Sequence, residues 1–428
     1  MRVTVIGAGS IGLCSALALA SDGAQVRVVD AHAAGAGASS HNAGWVVPSM
    51  SAPVPAPGVL TQSLKWMLRP DSPLYIRPSR DPHFAKFMIQ MLRNCTSTRF
   101  EAGLQNLMAL NQRTFELFDE FERNGLRFEN YRSGLVQLFR TQKSLDSHAH
   151  EMDLVQNLGG DDFDVLTRTE AAQLIPGISH SILGGIVCPN ERFLDPAAFM
   201  KSLVTQCKNL GVEFVEATEV SLSSDAAGTI TASGNDRSMT SDHFVVAAGA
   251  WSGQVVRDLG YTLPLQSGKG YGFDVPPMFP PGVRASYLSE AKVAVTPLAG
   301  ATRLAGTMGF GGRGENVDMR RAGGILTSAA DYFDNWDRPL NAVPWTGLRP
   351  MTPDGMPIIG PLPRHPNVTV ATGHAMLGIT LGPVTGELVA RSVLGRGLPV
   401  YARVFGLERF RRTFAPRPRR ASASNMPR

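Results

Sequence analysis

The chain opens on Val3-Thr4-Val5-Ile6-Gly7-Ala8-Gly9-Ser10-Ile11-Gly12, the stretch that most restricts what the remaining residues can build. A run of β-branched residues ending at once in glycine reads as a buried parallel strand entering a tight turn. The Ala- and Leu-rich run from Leu13 to Ala20 continues as a helix. The three glycines have separate tasks. Gly7 permits the turn, Gly9 lets the backbone approach a pyrophosphate, and Gly12 lets the helix pack on the strand while its first amides, at Ser10 and Ile11, face the phosphates. Val26-Arg27-Val28-Val29-Asp30 reads as the second parallel strand, with Asp30 about twenty residues along, where an acid bonds ribose hydroxyls. A lone Gly-x-Gly-x-x-Gly is a weak signal. Strand, glycines, helix, second strand and terminal acid in register make a nucleotide grip, against the plainer alternative of an ordinary βαβ unit.

A chain of 428 residues has room for a large core and two or three domains around that grip. Its charged fraction of 18% against 43% hydrophobic is that of a globular protein, which sets disorder aside for most of the length. The net charge of +5 does not indicate nucleic acid, because the excess gathers at the end, in Arg409, Arg411, Arg412, Arg417, Arg419 and Arg420. That basic tail, interleaved with Phe410 and Phe414, suits an anionic membrane surface, or else it is a solvated terminus. Cys14, Cys95, Cys188 and Cys207 lack paired spacing, so neither a disulfide framework nor a metal site is expected and a reducing, cytoplasmic setting fits. No apolar run is long enough to span a bilayer, so any membrane association is expected to be peripheral.

Further along, the small and polar residues from Ala31 to Gly44 suit a loop that closes on phosphate, or a plain surface linker. Helices are expected at Phe84 to Asn94, Leu104 to Asn124, Ser144 to Leu158 and Thr167 to Leu174, and another from Asp195-Pro196 to about Leu210. Thr229 to His243 reads as a small meander, and Phe244-Val245-Val246-Ala247-Ala248-Gly249-Ala250-Trp251 as a second buried strand meeting a glycine turn. Short β-like runs fill Leu265 to Ala305. A helix is expected at Arg320 to Trp336, before glycine turns return from Trp345 to Gly360 and from Val368 to Gly386. The order describes a nucleotide fold entered three times with insertions between.

The opening turn, Ser39 to Gly44, Val245 to Ser252, Trp345-Thr346-Gly347-Leu348-Arg349-Pro350-Met351-Thr352-Pro353-Asp354-Gly355 and Gly373-His374-Ala375-Met376-Leu377-Gly378 together resemble the D-amino-acid oxidase superfamily of flavoproteins. Within it the chain is similar to the bacterial D-amino acid dehydrogenase small subunits, a likeness to which Ser63-Leu64-Lys65-Trp66-Met67 and Gly134 to Thr141 add. The resemblance implies an α/β fold: an FAD-binding Rossmann-like domain from 1–80, 193–255 and 340–406, an inserted antiparallel-sheet substrate domain from 81–192 and 256–339 that roofs the flavin, and a basic tail at 407–428. It implies non-covalent FAD held by Gly7, Gly9, Ser10, Ile11, Gly12, Asp30, Ser39, Ser40, Asn42, Ala43 and Gly44. Val220 would hold the adenine, while Ala248, Gly249, Trp251, Arg349, Gly373, His374, Leu377, Gly378, Ile379 and Thr380 complete the set. Ala375 and Ile379 depart from the family pattern, which has glycine and tryptophan there.

The activity implied is oxidative deamination of D-amino acids to 2-oxo acids and ammonia, by hydride transfer to flavin N5, with electrons passed to a quinone or other acceptor. Arg349 would grip the substrate carboxylate bidentately. Tyr271 would face the substrate and His374 would orient or polarise the flavin. Two alternatives stand beside this: an oxidase or dehydrogenase of secondary amines such as D-hydroxyproline, D-proline, sarcosine or glycine, and a non-catalytic flavin subunit of a larger electron-transfer complex.

Overall fold

The opening strand, Arg2–Ile6, lies inside a six-stranded sheet. In the computed structural model its order runs Glu213–Val215, Gln25–Val29, Arg2–Ile6, His243–Val246, His365–Thr372, Ile358–Leu362. The first five are parallel and the last closes an antiparallel hairpin. The structure describes residues 1–58, 74–77, 79–234, 237–280, 282–311, 314, 316–334, 336–339 and 341–410. Ser63 to Met67 and the arginines from Arg411 onward lie outside the described residues.

Helices Ser10–Ser21, Pro196–Asn209 and Gly382–Val393 bury their apolar faces, Leu13 and Leu17, Phe199 and Leu203, and Val389 and Val393, in one core with Val5 and Val28 of the sheet. A Cβ on Gly386 would lie 2.5 Å from the Cys14 carbonyl oxygen, so the first and last of these helices meet at a distance that glycine makes possible.

The second, nine-stranded sheet follows the order Trp345–Met351, Gln266–Val275, Thr302–Phe310, Val293–Pro297, Ala285–Leu288, Leu135–Phe139, Gly184–Cys188, Asp164–Thr167, with Leu74–Ile76 joined to Thr302–Phe310. One face is sealed by helices Arg168–Leu174 and Met319–Ala330, which pack Ala171, Ala322 and Ile325 against Leu138, Phe273 and Val295. The other face bears Thr296 and Arg303, which reach the loop after Asp30.

Sheet pairing corrects the expected boundaries. Trp345–Met351 pairs along its length with Gln266–Val275, so residues read as part of the nucleotide domain belong to the larger sheet, and the chain returns to the first sheet only at Ile358. Leu74–Ile76, from the segment assigned as 1–80, is also in the larger sheet.

The helix expected from Leu104 to Asn124 is two, Ser97–Asn111 and Thr114–Arg123, because Arg113 leaves helical geometry at φ −105°, ψ 8° and its guanidinium bonds Glu116 and Glu387. The helix expected to reach Trp336 stops at Ala330. Beyond it Tyr332 donates to Glu290 and the Trp336 indole folds back onto the Leu326 carbonyl. Arg409, read as tail, is part of the fold: its guanidinium clamps Asp354 at 2.7 Å and donates to the Met356 carbonyl.

Candidate active site

The opening turn is tightly packed below and open above. Gly7 sits at φ +107°, and a Cβ there would collide with the backbone of Ala247; one on Gly12 would overlap the Gly7 carbonyl. A Cβ on Gly9 would meet only Ser39 Oγ, at 3.3 Å. Helix Ser10–Ser21 has no side-chain cap from Gly9, and the Ser10 amide donates to Ser39 Oγ at 3.0 Å. Ser39 thus takes the Ser10 amide that was expected to face phosphate, and the positive end of the helix dipole lies at the Gly9–Ser39 gap, an arrangement suited to phosphate.

Asp30 braces the turn as well as ending its strand: its carboxylate accepts from the Ala8 amide at 2.6 Å and the His32 amide at 2.8 Å. Each oxygen keeps a lone pair for a ribose hydroxyl. The Asp30 carbonyl accepts from the Thr218 amide, which brings Val220, buried with Ile6 and Val29, to the same end of the sheet.

The loop from 37 to 44 is built by its own side chains. Asn42 donates to the Ser39 carbonyl at 2.6 Å and accepts from the Gly44 amide at 2.7 Å, and Ser40 donates to the Gly37 carbonyl at 2.9 Å. Asn42 and Ser40, expected to line the phosphate and the flavin ring, thus spend these side-chain bonds on shaping the loop. Gly44, at φ +72°, passes so close to the Leu194 carbonyl that a Cβ would overlap it. From the larger sheet Thr296 donates to the Ala43 carbonyl at 2.7 Å. Arg303 donates to the Asn42 carbonyl at 3.0 Å while its Nε and Nη2 clamp Asp274 at 2.7 and 2.8 Å. Sequence reading missed both; a lone Arg and Thr in β-like runs carry no sign of what they reach.

The Gly373 to Thr380 segment closes on the other two. Ser10 Oγ donates to the Gly378 carbonyl at 2.8 Å, and Thr380 accepts from the Val47 amide and donates to the Trp45 carbonyl. Leu377 and Ile379 are buried. His374 shares a 2.9 Å hydrogen bond with Thr385 through Nε2, while its buried Nδ1 has no partner among the described residues. Burial pushes its pKa down to about 3, so the ring is neutral. Gly249, at φ +53°, offers its carbonyl to Thr372 and Ser252. Ala248 precedes it, but Trp251 remains 40% exposed rather than closing over the site.

Arg349, the expected carboxylate grip, lies on strand Trp345–Met351. It pairs in register with Gly268, and its guanidinium lies where a Cβ of Gly270 would be. Nη1 donates at 2.7 Å to the carbonyl of Thr307, a β-branched residue held at φ +62° where the two strands slip register. No carboxylate among the described residues pairs with Arg349, and burial lowers its pKa to about 10. Tyr287, unnoticed in the sequence, is close enough to sense that charge, and its ring meets Trp45 edge-on at 5.8 Å.

Tyr271 is corrected. It is 4% exposed in the core beneath helix Met319–Ala330, with Phe273 and Ile325, because strand alternation turns Gly270 and Gly272 toward Arg349 and Trp345 and sends the intervening side chain to the opposite face.

These residues suit FAD. The Gly9–Ser39 cradle matches a pyrophosphate, Asp30 a ribose, and the buried, unpartnered His374 Nδ1, Trp345 Nε1 and Thr307 Oγ1 are polar atoms that a bound ring or substrate would satisfy. The family model described as FAD dependent oxidoreductase matches residues 2–392. A D-amino acid dehydrogenase of Agrobacterium fabrum strain C58 is 34% identical over 92% of this chain and 96% of that protein. One from Bradyrhizobium diazoefficiens is 32% identical over 97% of this chain and 100% of that protein. The glycine oxidase of Geobacillus kaustophilus superposes with a TM-score of 0.74 at 22% identity, over 95% of this chain and 98% of that one, a likeness of fold. The nucleotide turn and a family match across nearly the whole length agree: this chain belongs to the FAD dependent oxidoreductases, with FAD as its cofactor.

Proposed function

We propose that the protein oxidises free D-amino acids to 2-oxo acids and ammonia and passes the electrons to a quinone or similar acceptor. The observation that carries this reading is Arg349, a half-buried guanidinium with no counter-ion among the described residues, held flat across Gly270. A cation in that state is stabilised by an anionic ligand, and its fork matches an α-carboxylate. The activity named for the relatives at 32–34% identity supports the D-configuration. The basic residues after Phe410 suit an anionic membrane surface, where quinones reside. No described helix is long and apolar enough to cross a membrane.

When bound, FAD supplies the acceptor for the hydride leaving the α-carbon. The chain does the rest by placement. Arg349 fixes the carboxylate, and the Thr307 carbonyl and the glycine floor fix Arg349. The positive charge beside the substrate favours the neutral amine that oxidation requires. His374, neutral and bonded to Thr385, contributes an orientating nitrogen rather than a base.

Arg349→Lys keeps the charge and loses the fork, and Arg349→Ala loses both. Truncating one partner of such a pair costs roughly 2–5 kcal/mol, so Arg349→Ala should lower the specificity constant for amino acids by about two to three orders of magnitude. FAD retention should be unchanged. Amines without a carboxylate are the control: an equal loss with them would mean that Arg349 supports the fold or the flavin instead.

A further inference from the structure

Helix Pro82–Asn94 has two apolar faces and buries only one. Phe84, Phe87 and Met91 lie in one cluster with Phe310 and Met351 of the larger sheet, and Ala375 packs against it. On the opposite side Ala85, Met88, Ile89 and Leu92 recur at helical spacing. Met88 is half-buried, whereas Ala85, Ile89 and Leu92 are exposed, Ile89 at 51% and Leu92 at 40%. Single exposed apolar residues need no explanation, but a stripe along two turns of one helix does.

The charges around the stripe decide what suits it. The helix carries no acid from Pro82 to Asn94, and its exposed cations, Lys86 and Arg93, each follow a stripe residue and so edge the same face. Asp81, just before the helix, is its cap and accepts from the His83 amide at 2.9 Å; the acid that follows in sequence, Glu101, belongs to the next helix, Ser97–Asn111. At the far end Asn94 accepts from Arg99 and donates to the Pro353 carbonyl at 3.0 Å, and the neighbouring Asp354 is the carboxylate that Arg409 clamps. The chain therefore comes to Phe410, the last described residue, beside the C-terminal end of this helix, and residues 411–428 add six arginines and no acid. A second copy of the chain would bring the same cations to the stripe. An anionic bilayer matches both the apolar residues and the charges.

Extending the proposed transfer of electrons to a quinone, we propose that the exposed face of helix Pro82–Asn94 docks on an anionic lipid bilayer, with the basic residues after Phe410 as the second point of attachment. Each signal alone is weak, because a short apolar stripe binds marginally and a basic segment binds only until salt screens it; together they hold the protein at the surface. Docking on this face also orients the molecule. The buried side of the same helix packs on Met351 and Ala375, two residues from Arg349 and one from His374. One helix diameter, about 10 Å, then separates the residues that flank the candidate site from the lipid phase that holds a quinone.

The test is co-sedimentation of the FAD-loaded full chain with phosphatidylcholine vesicles that contain or lack phosphatidylglycerol. The wild type should bind the anionic vesicles about tenfold more tightly than the neutral ones, or better. Ile89→Ser combined with Leu92→Ser should weaken that binding about tenfold at low and high salt alike, because it removes apolar contact and no charge. Removal of residues 411–428 should weaken it about a hundredfold at low salt and far less at high salt. Ile89→Trp, which keeps an apolar side chain suited to the interface, should bind as the wild type does. All variants should retain FAD, which reports that they are folded. Equal binding by the wild type and the serine variant, or no preference of the wild type for anionic vesicles, would overturn the proposal. So would a serine variant that turns a dimer into a monomer in vesicle-free buffer while vesicle binding persists, since the face would then join two copies of the chain. Vesicle binding needs no substrate, so a bound protein that fails to reduce a lipid-soluble quinone with D-alanine would sink the proposed function and leave the docking face in place.

Discussion

At Ala375 the backbone is held at φ +50°, a conformation that costs an L-residue with a Cβ about 1–2 kcal/mol. The amide there donates to the Pro350 carbonyl, so the strain joins the segment after His374 to the strand that carries Arg349. Ala375→Gly should therefore raise stability by about 1 kcal/mol in urea titration, since relief of φ strain exceeds glycine's added chain entropy. A loss of stability would show that the Ala375 methyl, packed beside Phe84 and Met91, outweighs the strain. The departure from the family's glycine was legible in the sequence. Its cost was not, because φ belongs to the folded turn. Tyr271 shows the same boundary: alternating glycines were visible, but which face they served depended on Arg349 lying across Gly270.

Among elements, the loop from 37 to 44 is held from the larger sheet by Thr296 and Arg303. Arg303 spends two nitrogens on Asp274 and a third on the Asn42 carbonyl. Arg303→Lys cannot reproduce that three-way geometry, so FAD should dissociate about tenfold more readily while the protein remains folded, checked by ultrafiltration of the yellow protein. Unchanged retention would mean the loop is held by its internal Asn42 and Ser40 bonds alone.

In the nucleotide sheet, His243 is buried against Thr369 and its pKa is lowered to about 4. An unfolded histidine titrates near 6.5, so stability is fully present above that pH and is lost as pH falls toward 4, because only the unfolded chain takes up the proton. The loss approaches ~3 kcal/mol in all, and His243→Gln should flatten urea midpoints measured between pH 7 and 5. The strands of this sheet were readable from their apolar runs and glycine ends. The larger sheet was harder: its pairing joins residues far apart in sequence, so Trp345–Met351 looked like turns between domains and Thr296 and Arg303 carried no local mark.

At the scale of the whole molecule, three segments distant in sequence meet at Ser10, which bonds both Ser39 and Gly378, and the larger sheet brings Arg349 to the same side as the loop they support. The glycine turn was legible because it is a matter of backbone geometry, and Arg349 stood out as a single charge in the Gly-Leu-Arg-Pro segment. The anchorage of the loop from 37 to 44 was not, because Thr296 and Arg303 come from strands that no motif connects to it. The central claim, that this assembly oxidises D-amino acids through Arg349, is tested most directly by adding D- and L-alanine anaerobically to the purified yellow protein and following flavin absorbance. D-alanine should bleach the flavin and L-alanine should leave it oxidised, and Arg349→Ala should lose the D-alanine response while keeping its FAD. Bleaching by the L-enantiomer alone, or by neither, would contradict the account.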